Sequence, residues 1–172
     1  EPDAAGGMTV EWRCGNGAGT CLKALRVDSS GTAVWSIVLD VAAGGPGLNY
    51  EFTTVADAQG TIISAWEQVG GDIAMARYDT AGTMLWIPSP VLACTETHDQ
   101  DKPAIILLEN SLYMAWRDNR PGGSGLYTQR FDLATGEAQW EPDGHPTIID
   151  NYYIPTARIV PSIGGIVGIM DL

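Results

Sequence analysis

Residues 115–140 read AWRDNRPGGSGLYTQRFDLATGEAQW, and this stretch decides the fold. An apolar run ends in Trp116, a Gly-rich turn follows, and an alternating segment over 126–131 leads through a second turn to Trp140. The same grammar occurs twice earlier in the chain. Trp12, Trp66 and Trp116 close the apolar runs MTVEW, TIISAW and SLYMAW, whereas Trp35, Trp86 and Trp140 follow the turns of DSSGTAVW, DTAGTMLW and DLATGEAQW. The intervals are 54 and 50 residues in the first series and 51 and 54 in the second, so all six tryptophans obey one period.

Between the two series lies a segment ending in Arg-x-Asp: Arg26 and Asp28, Arg77 and Asp79, Arg130 and Asp132. A further apolar segment precedes each run, at 53–60, 103–110 and 156–165, and the last leads into IVGIMDL, where Met170 takes the place of the tryptophan. Each period therefore holds four short strands, expected in the third at 104–108, 112–117, 126–131 and 137–140. Asn, Asp and Gly supply the turns between them. No segment has a helical apolar period of useful length.

Four antiparallel strands per repeat of about 40–50 residues is the pattern of a β-propeller blade. The expected fold is all-β, with repeats at 1–52, 53–102 and 103–155 and a partial one at 156–172 forming a single domain. A sandwich or a solenoid shares the strand count. Blades cannot bury their own faces and stack on neighbours, so all six tryptophans are read as packing groups. About three blades do not close a ring that ordinarily needs four to eight; the expected partners are other blades of the same protein or identical copies.

At 172 residues the chain can bury a substantial core. Its 21 acidic residues against 9 basic ones give a net charge of −12, which argues against nucleic acid as a partner. No apolar run is long enough to span a bilayer, so membrane insertion is not expected, and EPDAAGGM lacks the features of a signal peptide.

The stretch 115–140 resembles a repeat common in large secreted and cell-surface bacterial proteins: A-W-x-D-x-R, a Gly/Ser loop, D-I-Y-x-Q-R-x-D-x-x-G and a final L-W. The third repeat matches at Ala115, Trp116, Asp118, Arg120, Tyr127, Gln129, Arg130, Asp132, Gly136 and Trp140, and the second and first match at fewer positions. The resemblance implies a β-propeller in an exported multidomain protein and defines no single activity. Sialidase-type propellers carry S-x-D-x-G-x-T-W, whereas the spacing here is Asp-x-x-Gly. The D-x-x-T-G-x-x-x-W of quinone-dependent dehydrogenases fits only Asp132 to Trp140.

The expected function is non-catalytic recognition, adhesion or scaffolding at the cell surface, with a glycan or surface polymer as ligand. A propeller enzyme and a purely structural assembly subunit are the rivals. Candidate ligand-binding residues are Asn119, Arg120 and Ser124 in the one loop the repeats do not share, and Tyr50, Tyr152 and Tyr153 between repeats, where aromatics could stack on sugars. Asp118, Arg120 and Arg130 are read as structural charges. No cofactor is expected; Glu96, Asp99 and Asp101 are the candidate oxygen ligands for calcium. His98 and His145 have no sequence-readable partner, and neither has Cys94. Alignment of the repeats sets Cys14 and Cys21 on adjacent antiparallel strands, the arrangement of a disulfide and of an oxidising, extracellular compartment.

Overall fold

Aspartate side chains build the hairpin turns. Asp28 Oδ1 accepts the backbone N–H groups of Ser30 (2.8 Å) and Thr32 (3.0 Å). Asp79 does the same for Ala81 and Thr83, both at 2.8 Å, and Asp132 for Ala134 and Thr135. Asp57 forms a fourth such turn, with Gln59 and Thr61, which the sequence reading did not identify. Each turn ends on a glycine at positive φ, between 76° and 82° at Gly31, Gly60, Gly82 and Gly136, a conformation that costs a side-chain-bearing residue energy. The bonds hold the carboxyls of Asp28, Asp79 and Asp132 below the ordinary aspartate value, chiefly through Ser30, Thr83 and Thr135 respectively.

The computed structural model describes residues 6–14, 21–39, 48–57, 59–68, 70–87, 90–149, 156–162 and 165–171. Every regular element among them is a β-strand. The first sheet contains β1 (Met8–Cys14), β2 (Cys21–Val27) and β3 (Ala33–Leu39) in sequential order. The second contains β4 (Leu48–Ala56), β5 (Ile62–Gln68), β6 (Ile73–Tyr78) and β7 (Val91–Leu92). The third contains β8 (Gln100–Leu108), β9 (Ser111–Asp118), β10 (Gly125–Asp132) and β11 (His145–Ile149). A two-stranded hairpin of β12 (Thr156–Ser162) and β13 (Gly165–Asp171) follows. All pairings are antiparallel between chain neighbours, as tight turns dictate.

The sheets stack face to face in chain order. Trp66 and Tyr78 of the second sheet close on Ala24 and Trp35 of the first. Ile63, Ile73, Met75 and Trp86 meet Leu112, Met114, Trp116 and Phe131 of the third in the main core. Ala115 and Leu126 carry the third sheet onto Ile159 of the hairpin. The first strand of each successive unit lies beside the next: β8 touches β4 on one side and β12 on the other.

The six tryptophans are not equivalent. Trp66, Trp86 and Trp116 are at most 2% exposed, but Trp12 and Trp140 are 41% and 39% exposed. Trp86 shows why. Its ring lies against Gly136 of the following sheet, so close that a Cβ there would come within 2.9 Å, and its Nε1 donates to the Leu133 carbonyl. Trp140 holds the same place one repeat later, and the hairpin β12–β13 has no third strand and turn among the described residues to cover it. Trp12 lies with Met8 and Val10 on the face of β1 at the opposite end of the stack, which no other sheet among the described residues covers. Within one chain, packing between sheets is therefore seen for Trp66, Trp86 and Trp116 and not for these two.

The fourth strands also differ from expectation. In the second and third sheets the chain forms only a single bridge after the turn, Tyr78↔Met84 and Phe131↔Ala138, and leaves before returning as β7 and β11. Gln129 stabilises the departure: its Oε1 accepts the Trp140 N–H and its Nε2 donates to the Glu141 carbonyl. The strand expected at 137–140 is instead 145–149.

Candidate functional site

β9 ends at Asp118, whose side chain is fully buried and organises the loop beyond it. Its Oδ2 accepts the Trp116 indole N–H (3.2 Å) and Arg120 Nη2 (2.6 Å), and its Oδ1 accepts both the backbone N–H and Nε of Arg120 at 2.9 Å. Arg120 Nη2 also donates to the Asp143 carbonyl and approaches Cys94 Sγ (3.5 Å), while the guanidinium lies 4.1 Å from the centroid of the Tyr127 ring. The hydrogen bonds that Arg120 donates to Asp118 push the arginine pKa further above its ordinary value, and burial raises the Cys94 thiol to about 11. Four segments (94, 116–120, 127 and 143) are tied together by one carboxylate and one guanidinium.

Arg120 thus points inward, its charge neutralised, as the structural reading of Asp118 and Arg120 required. The rest of the loop braces itself: Asn119 N–H donates to the Asp99 carbonyl (3.0 Å), Ser124 Oγ to that of Asp118 (3.3 Å) and the Tyr127 hydroxyl to that of Gly123 (2.9 Å). Asn119 stays exposed and Ser124 half-buried. The Ser124 hydroxyl also reaches Asn119 Oδ1 (3.4 Å), so an exposed amide and a half-buried hydroxyl meet on this loop. Such groups suit a neutral hydroxylated ligand better than an anion. Arg130, the other sequence-noted charge, donates to Ser111 and is not part of this cluster.

The candidate calcium residues are not brought together. Asp101 is engaged by the Arg117 guanidinium, 2.6 Å from Nε. Asp99 packs against Gly71, and Gln100 Nε2 folds the backbone between by donating to the Glu96 and His98 carbonyls. No three metal-ligating side chains converge among the described residues. The side chain of Tyr50 and all of Tyr152 and Tyr153 lie outside the described residues. The His98 ring bonds within its own loop, to Thr97, and His145 pairs with exposed Glu141.

Cys14 and Cys21 are register partners at the end of the β1–β2 ladder, in the arrangement the repeat alignment predicts. Their side chains lie outside the described residues. Cys94, which lacked any sequence-readable partner, is buried as a free thiol beside Arg120.

The sequence reading passed over Glu11. Burial between the first and second sheets raises its pKa even though Thr54 Oγ1 and Ser64 Oγ donate to the carboxylate. Burial, reinforced by the charge of Glu11, pushes the Tyr78 phenol up to about 12. Aligning the repeats by their first tryptophans puts Glu11 where the others have Ala65 and Ala115, and that substitution of a charge for a methyl was the available signal. A groove of about 340 Å³ runs along Glu11, Phe52 and Thr54, and another of about 420 Å³ crosses the first strands at Thr53, Pro103, Ile105 and Arg158. A larger cleft of about 820 Å³, at the junction of the second and third sheets, is lined mainly by apolar groups such as Leu85, Ile87, Leu92 and Phe131. The chain matches no protein-family model and no curated protein sequence.

Proposed function

We propose that the chain is a run of β-propeller blades acting as a non-catalytic recognition or adhesion module of an exported protein, with a surface glycan as ligand. The observation that carries this reading is the recurrence of one up-and-down four-stranded sheet, stacked in chain order with β4, β8 and β12 side by side. Blades around an axis have that arrangement.

The charged side chains support a binding role over a catalytic one. Arg77 pairs with Asp57, Lys102 with Glu51, Arg117 with Asp101 and Arg120 with Asp118, so the arginines and lysine named here brace the sheets rather than meet a substrate. The face left for recognition is the loop of Asn119 and Ser124. An extracellular setting fits the facing positions of Cys14 and Cys21. If they are bridged, both resist alkylation until a reductant is added; free labelling of both without reductant counts against the bond.

Binding to an array of bacterial and host glycans is the test. Asn119→Ala combined with Ser124→Ala is expected to weaken the response at least tenfold without moving the thermal midpoint by more than about 2 °C, because neither side chain supports the core. A wild-type protein that binds no glycan or surface polymer would reduce the module to a scaffold.

A second reading, an assembly subunit, is favoured by the two ends of the stack. Met8, Val10 and Trp12 are 41–46% exposed on one face of β1, and Val160 is exposed at the other end. Contiguous apolar surface of this kind marks an interface.

A further inference from the structure

β1, β5, β9 and β13 are the same strand of successive repeats, aligned by Trp12, Trp66, Trp116 and Met170. β5 is paired on its inner side by β4, β9 by β8 and β13 by β12. β1 has β2 on one side and, among the described residues, no strand on the other. The groove along Glu11, Phe52 and Thr54 lies at that edge.

The register says what belongs there. The position before the aligned residue is Ala65 in β5, Ala115 in β9 and Ile169 in β13, and their partners on the first strands are Thr53, Ala104 and Arg158. In β1 the same position is Glu11. A strand that met β1 as β12 meets β13 would therefore set Arg158 directly opposite Glu11. Directly opposed residues of an antiparallel pair share a face, with Cβ atoms about 4.5–5.5 Å apart, so the two side chains would be within ion-pair reach.

The faces agree as well. The Glu11 carboxylate points to Thr54 and Ser64 of the second sheet and forms no ion pair with a described residue. Arg158 is exposed and likewise has no ion pair among the described residues, while its neighbour Ile159 packs back on Ala115 and Leu126. Bringing β12 to β1 keeps Ile159 on its own third sheet and lays that sheet over Met8, Val10 and Trp12.

We propose that β12 of a second copy of this chain adds to the free edge of β1, displacing its own β13, with Arg158 seated against Glu11. The exchange is reciprocal. It completes the first sheet of each copy with a fourth strand, giving two copies six four-stranded sheets, within the four to eight of closed propellers. It rests on the propeller reading for the closed ring but not for the pairing of β12 with β1.

The test is charge reversal in the full chain, followed by light scattering after size exclusion across a range of concentrations. The wild-type chain is expected to be a dimer. Arg158→Glu, on an exposed residue that does not endanger folding, and Glu11→Arg are each expected to raise the dimer Kd at least tenfold, and combining them in one chain should restore it. As a check that does not depend on charge, Val10→Cys with Ile159→Cys, which the same register makes opposed, should give a covalent dimer under mild oxidation. A monomer at every concentration, a dimer insensitive to both reversals, or no covalent dimer from the cysteine pair overturns the exchange. None of these bears on the arrangement of sheets within one copy, by which the propeller reading stands or falls.

Discussion

Asp118→Ala is expected to destabilise the protein by about 3–5 kcal/mol, the cost of removing one member of a buried ion pair. The carboxylate is fully buried and receives three hydrogen bonds from Arg120, one from the Trp116 indole and a long one from the Cys94 thiol (4.0 Å). Its loss leaves a guanidinium, only 17% exposed, with the Asp143 carbonyl, Cys94 Sγ and the Tyr127 ring as its remaining neighbours. Urea unfolding should show a lower midpoint at unchanged slope. The double replacement Asp118→Ala with Arg120→Met should be less destabilised than the two single changes summed, since it removes both charges together. A cost below about 1 kcal/mol, the level of a surface pair, would mean that the knot does not hold the loop.

Trp86→Ala carries the second large effect, about 3–5 kcal/mol for a fully buried tryptophan. The ring is 1% exposed, wedged between the second and third sheets against Gly136, with its N–H on the Leu133 carbonyl. Trp140→Ala, at the same position of the next repeat, should cost far less. That side chain is 39% exposed, and its defined aromatic contact is the edge-on ring of Tyr113 at 6.0 Å, worth about 0.5–1.5 kcal/mol. Thermal unfolding of the two variants side by side separates them. Equal losses would show that Trp140 is covered in solution by something outside its own sheet.

Much of the architecture was legible because each repeat states it again. The tryptophan spacing placed the strands before each turn, and Asp-x-x-Gly placed the turns at Asp28 and Asp79, with the one-residue-longer turn from Asp132 to Gly136 read beside them; Asp57 to Gly60 has the same Asp-x-x-Gly spacing but lay in a segment read only as apolar. The fourth strands were misplaced because Trp86 and Trp140 looked like strand ends. In the fold they follow a one-bridge excursion, and the strands come later at Val91–Leu92 and His145–Ile149. Local pattern carries no record of that detour, which depends on Gln129 reaching Glu141 and Trp140.

The site divided in the same way. Asp118 and Arg120 are two residues apart in sequence, and their pairing could be read there. Cys94 and Asp143 join them through the tertiary fold alone, from 24 and 23 or more residues away. Glu96, Asp99 and Asp101 show the reverse: they are close in sequence, but Arg117 claims Asp101 and Gln100 folds the loop between them. Glu11 was visible as the one charge in an otherwise apolar repeat position, but its meaning needed the register of β12.

Whether the sheets radiate from an axis can be measured directly by spin-label distances within one chain. Labels at Glu51 and Lys102 report on the first strands, where the two side chains meet at 3.0 Å. Labels at Leu92 and Ile149 report on the fourth strands of the same two sheets, on exposed side chains. Blades around an axis splay outward, so the outer pair should be clearly farther apart than the inner pair. Two parallel layers, spaced about 10 Å apart throughout as in a sandwich, would give equal distances at both edges and would contradict the propeller.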